Sequence, residues 1–218
     1  MKQPVVQLSR GDATRGALLA AALQIFGDKG FEAASTREIA AAARANIAMI
    51  AYHFGGKEGL RAACAEHVAA TLSGIFASAA QPSVETGRQA RAALKTLVRA
   101  GVRGVVADEA ARPLARFLLR EISDPSPAFA RVFEAGFAPL HARVCRLWAL
   151  ATGAEPESEA TRLSVFALIA QIVYFRIARA PVLLRMGWSE IGPSQAAAIE
   201  SIVVANLEAA LDAAGSRA

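Results

Sequence analysis

The chain has 218 residues, 54% of them hydrophobic but only 6% aromatic, and it carries a formal net charge of +5. This length allows a substantial core, the abundant alanine favours packed helices over sheets, and the charge permits an anionic partner without identifying one. Two cysteines, Cys64 and Cys145, are too few for a disulfide framework, so we expect free thiols in a reducing cytoplasm. No apolar leader follows Met1, and the charge-free stretch 163–175 is too short to cross a bilayer, which predicts a buried core helix and no membrane partner.

Helical periodicity runs along the chain, and no segment alternates with the period of a strand. After a flexible arm at 1–11, apolar residues from Leu18 to Phe26 recur at helical spacing before Gly30 supplies a stop. A long helix is predicted from residue 57 to about residue 79. Further helices are predicted at 87–107, 109–122, 128–152, 158–180 and 194–214, with a break from Pro181 to Pro193 in which Pro181 ends or kinks a helix.

Residues 35–57 contain the most specific pattern in the sequence. Ser35 and Glu38 have the spacing of a capping box, which would begin a short alanine-rich helix. Asn46 is a suitable N-cap for a second helix that starts at the next residue and ends near Phe54. Two short helices separated by about three residues predict a helix-turn-helix, whose second helix enters the major groove of DNA.

One set of residues near the N-terminus and two later segments carry a family resemblance: Ala21, Ala22, Phe26, Gly30, Phe31, Ser35–Ala40, Asn46–Ala48, Tyr52–Phe54, Lys57 and Glu58, then Arg120–Pro127 and Gln171–Arg176. With the first set, residues 12–67 resemble the DNA-binding domain of TetR-type transcriptional repressors. The two later segments are similar to the CecR-like subgroup. We therefore expect an all-α fold with a three-helix helix-turn-helix domain at 12–56, a bridging helix at 57–80, and a larger helical domain at 81–218 for effector binding and dimerisation.

The resemblance also implies which residues meet DNA. Phosphate contacts are expected from Ser35, Thr36, Tyr52, His53 and Lys57, with Arg37 as a further candidate. His53 could instead pack under the helix, and Arg37 could be a solvated surface charge. Base readout is expected from Arg44, Asn46, Ile47, Ala48 and Met49. Arginine pairs with guanine, asparagine with adenine, and apolar side chains with thymine methyl groups, so we expect few hydrogen bonds to bases and more apolar and shape readout.

Two of these positions depart from the usual family pattern. Arg44 stands where a turn glycine is common, and a left-handed backbone there would cost about 1 kcal/mol. Ile47 stands where lysine is frequent. These departures leave open a helical binding protein that has lost contact with DNA.

The body is expected to hold a dimer surface and a ligand pocket. The resemblance places dimerisation on the last two long helices, with candidate residues Phe166, Ile169, Val173, Ile202 and Leu207. Candidate pocket residues are the aromatic Phe117, Phe133, Phe137 and Tyr174 and the polar Glu121, His141 and Gln171. Glu121 would orient a cationic or hydroxylated ligand, although each of these side chains alone also fits ordinary core or surface.

We interpret the chain as a ligand-responsive repressor that binds a palindromic operator in double-stranded DNA as a homodimer. A small hydrophobic or drug-like effector would release it. An activator or a ligand-independent regulator of the same fold is the alternative, and a helical enzyme is a remote one. The sequence has no nucleophile elbow, glycine-rich phosphate loop or H-x-x-x-H helix, and its histidines are isolated, so neither a metal nor a cofactor is expected.

Overall fold

A computed structural model of the chain describes residues 10–77 and 84–216. Every regular element in these residues is helical, which confirms the all-α prediction. Residues 1–9 of the expected arm lie outside the described residues, and its last two already belong to the first helix. The helices are α1 (Arg10–Lys29), α2 (Thr36–Ala42), α3 (Ala48–Phe54), α4 (Lys57–Ala77), α5 (Gly87–Gly101), α6 (Arg112–Ser123), α7 (Pro127–Val132), α8 (Ala138–Thr152), α9 (Glu159–Ile177), α10 (Arg179–Met186) and α11 (Pro193–Gly215).

Three segments after residue 81 were predicted to be regular α-helix but form π or 3-10 turns instead. Wider π turns at Val102–Ala107 and Phe133–Phe137 follow α5 and α7, and a 3-10 turn at Glu109–Ala111 precedes α6. The predicted break from Pro181 to Pro193 is wrong in its first part, because these residues begin within α10. Pro181 lies in the first turn of that helix, where the missing N–H leaves no intrahelical hydrogen bond unmade.

The contacts divide the chain into two compact units. The first contains the residues up to Ala69 together with Pro113–Phe133, and the second contains Ala70–Arg112 and Glu134–Ala218. This division differs from the predicted domains, because it groups α6 and α7 with the helix-turn-helix instead of with the effector-binding part. Helix α4 contributes residues to both units.

The core of the first unit forms around α1. Leu18 and Phe26 of α1 are buried, as are Ile39 of α2 and Ile50 of α3. The burial of these two isoleucines fits the packing of α2 and α3 against α1. Phe117 of α6 completes the core, with its ring centroid 6.4 Å from that of Phe26.

Helix α6 is tied to α1 by polar contacts as well as by packing. Arg120 donates from Nε to the carbonyl of Gly27 at 2.7 Å and from Nη2 to the carbonyl of Asp28 at 2.6 Å. These carbonyls belong to the last turn of α1, where helix geometry leaves them without intrahelical partners. Gly27 permits the close approach, because a Cβ there would lie 3.0 Å from the Cβ of Arg116.

A buried ion pair links α6 to α4. Glu121 is only 2% exposed, and its Oε1 accepts from Arg61 Nε at 2.7 Å. Its Oε2 accepts from the hydroxyl of Ser126 at 2.5 Å. Both carboxylate oxygens therefore have partners, which offsets the desolvation of the charge. We call the contacts of Arg120 and Glu121 the α6 clamp.

The second unit has a core of its own. Leu94 and Val98 of α5, Trp148 of α8, Val165 of α9 and Val203 of α11 are all buried in one apolar cluster. Both cysteines are free, as predicted, and both are buried, Cys64 in the first unit and Cys145 in the second. Burial raises the pKa of the Cys64 thiol.

Helix α9 is less buried than the core helix that was predicted. It runs for 19 residues and is long and apolar enough to cross a membrane by length and composition, but only 28% of its most apolar window is buried. Leu163, Phe166, Tyr174 and Ile177 are exposed on it. Length and composition alone are weak indications of a membrane span, because a helix that packs on two sides has the same properties.

The turn between α2 and α3 contains a strained residue. Arg44 has a φ of 52° and is, among the described residues, the one non-glycine residue with positive φ. The neighbouring Ala43 has an ordinary φ of −78°. The backbone at Arg44 is therefore left-handed, the case for which the sequence predicted strain, and an L-residue in this conformation costs about 1–2 kcal/mol.

We expect Arg44→Gly to increase the free energy of unfolding by about 0.5–1 kcal/mol, because strain relief exceeds the added entropy of an unfolded glycine. Urea denaturation of the purified protein measures this. Ala43→Gly is the matched control and should destabilise by about 0.5–1 kcal/mol, since its φ needs no glycine. A loss of stability in Arg44→Gly would contradict the assignment of strain.

We expect Arg61→Met to lower the free energy of unfolding by about 3–5 kcal/mol, because Glu121 would remain buried without its cation. The double variant Arg61→Met/Glu121→Leu should recover most of this loss, since no buried charge is then left unpaired. Urea denaturation of the four proteins of this cycle gives the coupling energy. Additive effects would show that the ion pair does not hold α6 in place.

Candidate nucleic-acid interface

The first helix of the helix-turn-helix has a side-chain cap. Ser35 is extended, and its Oγ accepts from the backbone N–H of Glu38 at 3.1 Å. The reciprocal half of the predicted capping box is replaced by another contact, because the Glu38 carboxylate accepts from Lys29 Nζ at 2.6 Å. Ser35 and Arg37 are exposed and Thr36 is half-buried, so the first turn of α2 presents hydroxyl and guanidinium donors to the surface.

The second helix begins one residue later than predicted, at Ala48. Ile47 therefore occupies the N-cap position, and the side chain of Asn46 still satisfies the first helical N–H, because its Oδ1 accepts from the N–H of Ala48 at 2.9 Å. To pair with adenine through both amide atoms, this side chain would have to share or release the cap. Ile47 is 47% exposed, Arg44 and Ala48 are exposed, and Met49 is half-buried.

The end of α3 carries two of the expected phosphate contacts, Tyr52 and His53. Tyr52 is 79% exposed, so its hydroxyl is available to a partner. The ring of His53 lies 4.9 Å from that of Tyr52 and 6.1 Å from that of Phe54, and its Nε2 is buried without a hydrogen-bond partner. This geometry favours the packing role for His53.

Lys57, at the start of α4, is partly engaged within the first unit. Its Nζ lies 4.3 Å from the ring centroid of Phe31 and donates to the carbonyl of Glu32 at 3.4 Å. Gly55 ends α3 with a φ of 73°, which turns the chain sharply into α4. The structure thus gathers the candidate DNA residues onto the turn, both short helices and the start of α4.

The seven candidate pocket residues are divided between the two units. Phe117 and Glu121 line a cleft of about 580 Å³ in the first unit, where the side chains of Arg61, Arg116 and Arg120 are already paired. Phe133 is exposed, with its ring 6.1 Å from that of Phe129. In this unit Glu121 serves the α6 clamp, and both of its oxygens are occupied.

The other four candidates lie in the second unit. Phe137 stacks on His141 at 5.9 Å, and Phe166 lies 4.3 Å from the same imidazole. Gln171 accepts from Asn206 Nδ2 at 2.9 Å. Tyr174 lines an almost apolar cleft of about 470 Å³ together with residues of α10 and α11. The seven residues therefore do not share one cavity within a single unit.

Several charged residues that form ion pairs or hydrogen bonds between helices were not predicted from the sequence. Arg61 and Arg120 hold the α6 clamp, and Arg176 and Arg179 meet Glu109 in the second unit. No local pattern signals such pairs, although the position of Arg120 and Arg176 within the two subgroup segments was a hint. No group of three His, Cys, Asp or Glu side chains in the part of the chain described here could hold a metal ion.

Comparison with known proteins identifies the family. The model of the bacterial regulatory proteins of the tetR family matches residues 18–64, and that of the C-terminal domain of the HTH-type transcriptional dual regulator CecR matches residues 90–214. The chain is 33% identical over 223 residues to the HTH-type transcriptional dual regulator CecR of Shigella flexneri, covering 100% of this chain and 99% of that protein.

Solved structures agree with this fold. A TetR-family transcriptional regulator from Streptomyces coelicolor is similar with a TM-score of 0.67 and 18% identity, over 93% of this chain and 96% of that one. AibR, in complex with isovaleryl coenzyme A and operator DNA, gives a TM-score of 0.65 and 17% identity, over 88% of this chain and 96% of that one. The family and its members are transcription regulators, which excludes the enzyme alternative. The chain belongs to the TetR family of bacterial transcriptional regulators and carries the C-terminal domain characteristic of CecR.

Proposed function

We propose that this regulator binds a palindromic operator as a homodimer, represses transcription in the cytoplasm, and is released by a small-molecule effector. The observation that carries the proposal is the exposed surface of the helix-turn-helix. Arg44, Ile47, Ala48 and Tyr52 are exposed on or just before α3, and Arg37 is exposed on α2. A helix that packs only for stability has no need of a cation on a strained backbone beside exposed apolar residues.

Activation is the second candidate. The relative that is 33% identical over the whole chain is described as a dual regulator, which means that one protein of this kind can act in both directions. The sign depends on where the operator lies relative to the promoter, so the same interface serves both functions. A transcriptional reporter in a deletion strain separates them, because loss of a repressor raises expression and loss of an activator lowers it.

The experiment that tests the proposal is anisotropy binding of the full-length protein to its own upstream intergenic DNA across a salt series. Saturable binding to a palindrome, weakening steeply with salt and resisting competitor DNA, is the expected result. Binding no tighter than to random DNA would contradict a specific operator in that region.

We expect Arg37→Ala to weaken binding to operator and random DNA alike and to reduce the salt slope by about 1, because a phosphate contact carries no sequence information. Arg88→Ala is the matched control, since Arg88 is an exposed arginine in the first turn of α5, outside the helix-turn-helix. It should leave the slope unchanged. Equal slopes for wild type and Arg37→Ala would assign Arg37 to the solvated surface instead.

Dimerisation is supported by the apolar surface that the second unit leaves exposed. Leu163, Phe166 and Tyr174 of α9 and Ile202 of α11 are large apolar residues with 47–60% exposure. Exposed residues of α11 next to Ile202 are small, as at Ala198 and Ala205, which lets a second helix approach closely. Of the predicted dimer residues, Leu207 is buried in the core of its own unit, and Ile169 and Val173 are half-buried. The two-fold contact therefore falls on Phe166 and Ile202 in this proposal.

We expect Ile202→Asp to raise the dimer dissociation constant by roughly 100-fold or more, because both copies lose about 1.5–3 kcal/mol of apolar burial across the two-fold axis. Sedimentation velocity at several concentrations measures this, and operator affinity should fall with it. Ile122→Asp is the control, since Ile122 is 52% exposed against 58% for Ile202 but lies in the first unit. An unchanged dimer in Ile202→Asp would rule out this face.

Release by an effector is proposed as a population shift. In one state of the dimer the two DNA-binding domains have the spacing that fits the operator, and in the other they do not. The ligand favours the state that it binds better, and it can move the equilibrium only by its differential affinity for the two states. Recognition helices must be about 34–36 Å apart to enter successive major grooves, so a shift away from that spacing lowers operator affinity.

A further inference from the structure

Two arginines occupy the junction between α9 and α10. Arg176 lies in the last turn of α9, and Arg179 is the first residue of α10. Arg176 is only 8% exposed, and burial of a guanidinium is rare unless it is paired. It also closes the segment Gln171–Arg176, which resembles the CecR-like subgroup and which the proposed function leaves unexplained.

The hydrogen bonds of this arginine pair are incomplete. Arg179 Nη2 lies 2.8 Å from Oε1 of Glu109, whereas Arg176 Nη1 lies 3.7 Å from the same oxygen, beyond hydrogen-bonding distance. Nη1 and Nη2 of Arg176 and Nη1 of Arg179 are all buried without a hydrogen-bond partner. Three charged nitrogens therefore lack an acceptor in a place that water does not reach freely.

The surrounding charges leave room for one more anion. Glu109 and Asp108 favour the charged form of Arg176, while Arg179 and Arg112 oppose it. Burial is the largest effect and lowers the pKa of Arg176, followed by these neighbours. Glu109 is 53% exposed, so solvent weakens its compensation of the two guanidinium groups. Three cations thus face two carboxylates, and both carboxylates belong to exposed residues.

The backbone opposite is irregular. The π turn Val102–Ala107 ends at Asp108, whose Oδ1 accepts from the N–H of Ala110 and starts the 3-10 turn that carries Glu109. Helix α9 packs against this π turn. Such turns recur at ligand sites, and here one adjoins the incompletely bonded arginines.

We propose that Arg176 and Arg179 form an anion subsite that binds the carboxylate or phosphate group of the effector. Guanidinium groups pair with such oxyanions through two parallel hydrogen bonds, which would use the nitrogens that now lack acceptors. This inference rests on the proposed ligand response and defines its chemistry. The effector is an acid or a phosphorylated compound, in place of the cationic or hydroxylated ligand that Glu121 was expected to orient.

The alternative is that the arginines are structural and that water supplies the missing acceptors. Thermal unfolding of the full-length protein separates the two, with sodium phosphate or sodium octanoate titrated against sodium chloride at constant ionic strength. Wild type should be stabilised saturably by at least one of these anions. In Arg176→Met the apparent dissociation constant should rise by about tenfold or more. Without added anion this variant should be no less stable than wild type, because Glu109 stays hydrated and a buried charge is removed.

Arg146→Met is the matched control, since Arg146 is an exposed arginine of α8 in the same unit. It should keep the full response. Arg179→Gln serves as a second variant in case Arg176→Met folds poorly, and it should also lose the response. A response to phosphate alone identifies a phosphoryl ligand, and a response to octanoate alone identifies a carboxylate on an apolar molecule.

Equal stabilisation of all four proteins, or of none, would overturn the anion subsite. So would an Arg176→Met variant that is destabilised without anion while Arg179→Gln keeps the response, because the guanidinium would then be a structural tie. Operator binding by the same preparations, measured without added anion, tests the regulator separately. If that binding fails while the anion response still requires Arg176, the subsite stands and the proposed repression falls.

Discussion

The buried carboxylate of Glu121 constrains the first unit more than any other polar group there. A charge that is 2% exposed must keep its partners, and these are Arg61 on α4 and Ser126 just before α7. Arg120, the preceding residue, holds the last carbonyls of α1. As a result, α1, α6 and the first part of α4 are held together, and the unit that contains the helix-turn-helix has six helices instead of the predicted three. A signal that moves α6 must carry α1 and α4 with it or separate a buried ion pair.

The same principle distinguishes the two buried charges in the residues that the structure describes. Both carboxylate oxygens of Glu121 accept a hydrogen bond, whereas two guanidinium nitrogens of Arg176 have no acceptor. The buried threonines behave like Glu121, since the Thr152 hydroxyl donates to the carbonyl of Trp148 and that of Thr161 bonds with Ser158. The buried carboxylate and the two buried threonines are therefore satisfied, whereas the guanidinium of Arg176 is not, and this difference suggests a ligand for Arg176.

The parts of the fold set by local chemistry could be predicted from the sequence, and the parts set by distant partners could not. The side chains of Ser35 and Asn46 accept from backbone N–H groups two or three residues away, so the helix-turn-helix could be predicted from the sequence pattern. Arg61 and Glu121 meet across 60 residues of chain, which no periodicity reveals. Glu121 therefore suggested a ligand anchor, and its place in the first unit was missed. Pro181 was taken as a break because a proline in a first turn and one in a linker look alike.

The left-handed conformation of Arg44 places folding stability and DNA affinity in conflict at a single position. Glycine there relaxes the backbone, while arginine places a cation beside the start of α3. Under the proposed function, a screen for heat-resistant variants and a screen for promoter occupancy would choose different residues at this position. Relatives that carry glycine and those that carry arginine would then differ in how much folding stability they give up for a stronger hold on DNA.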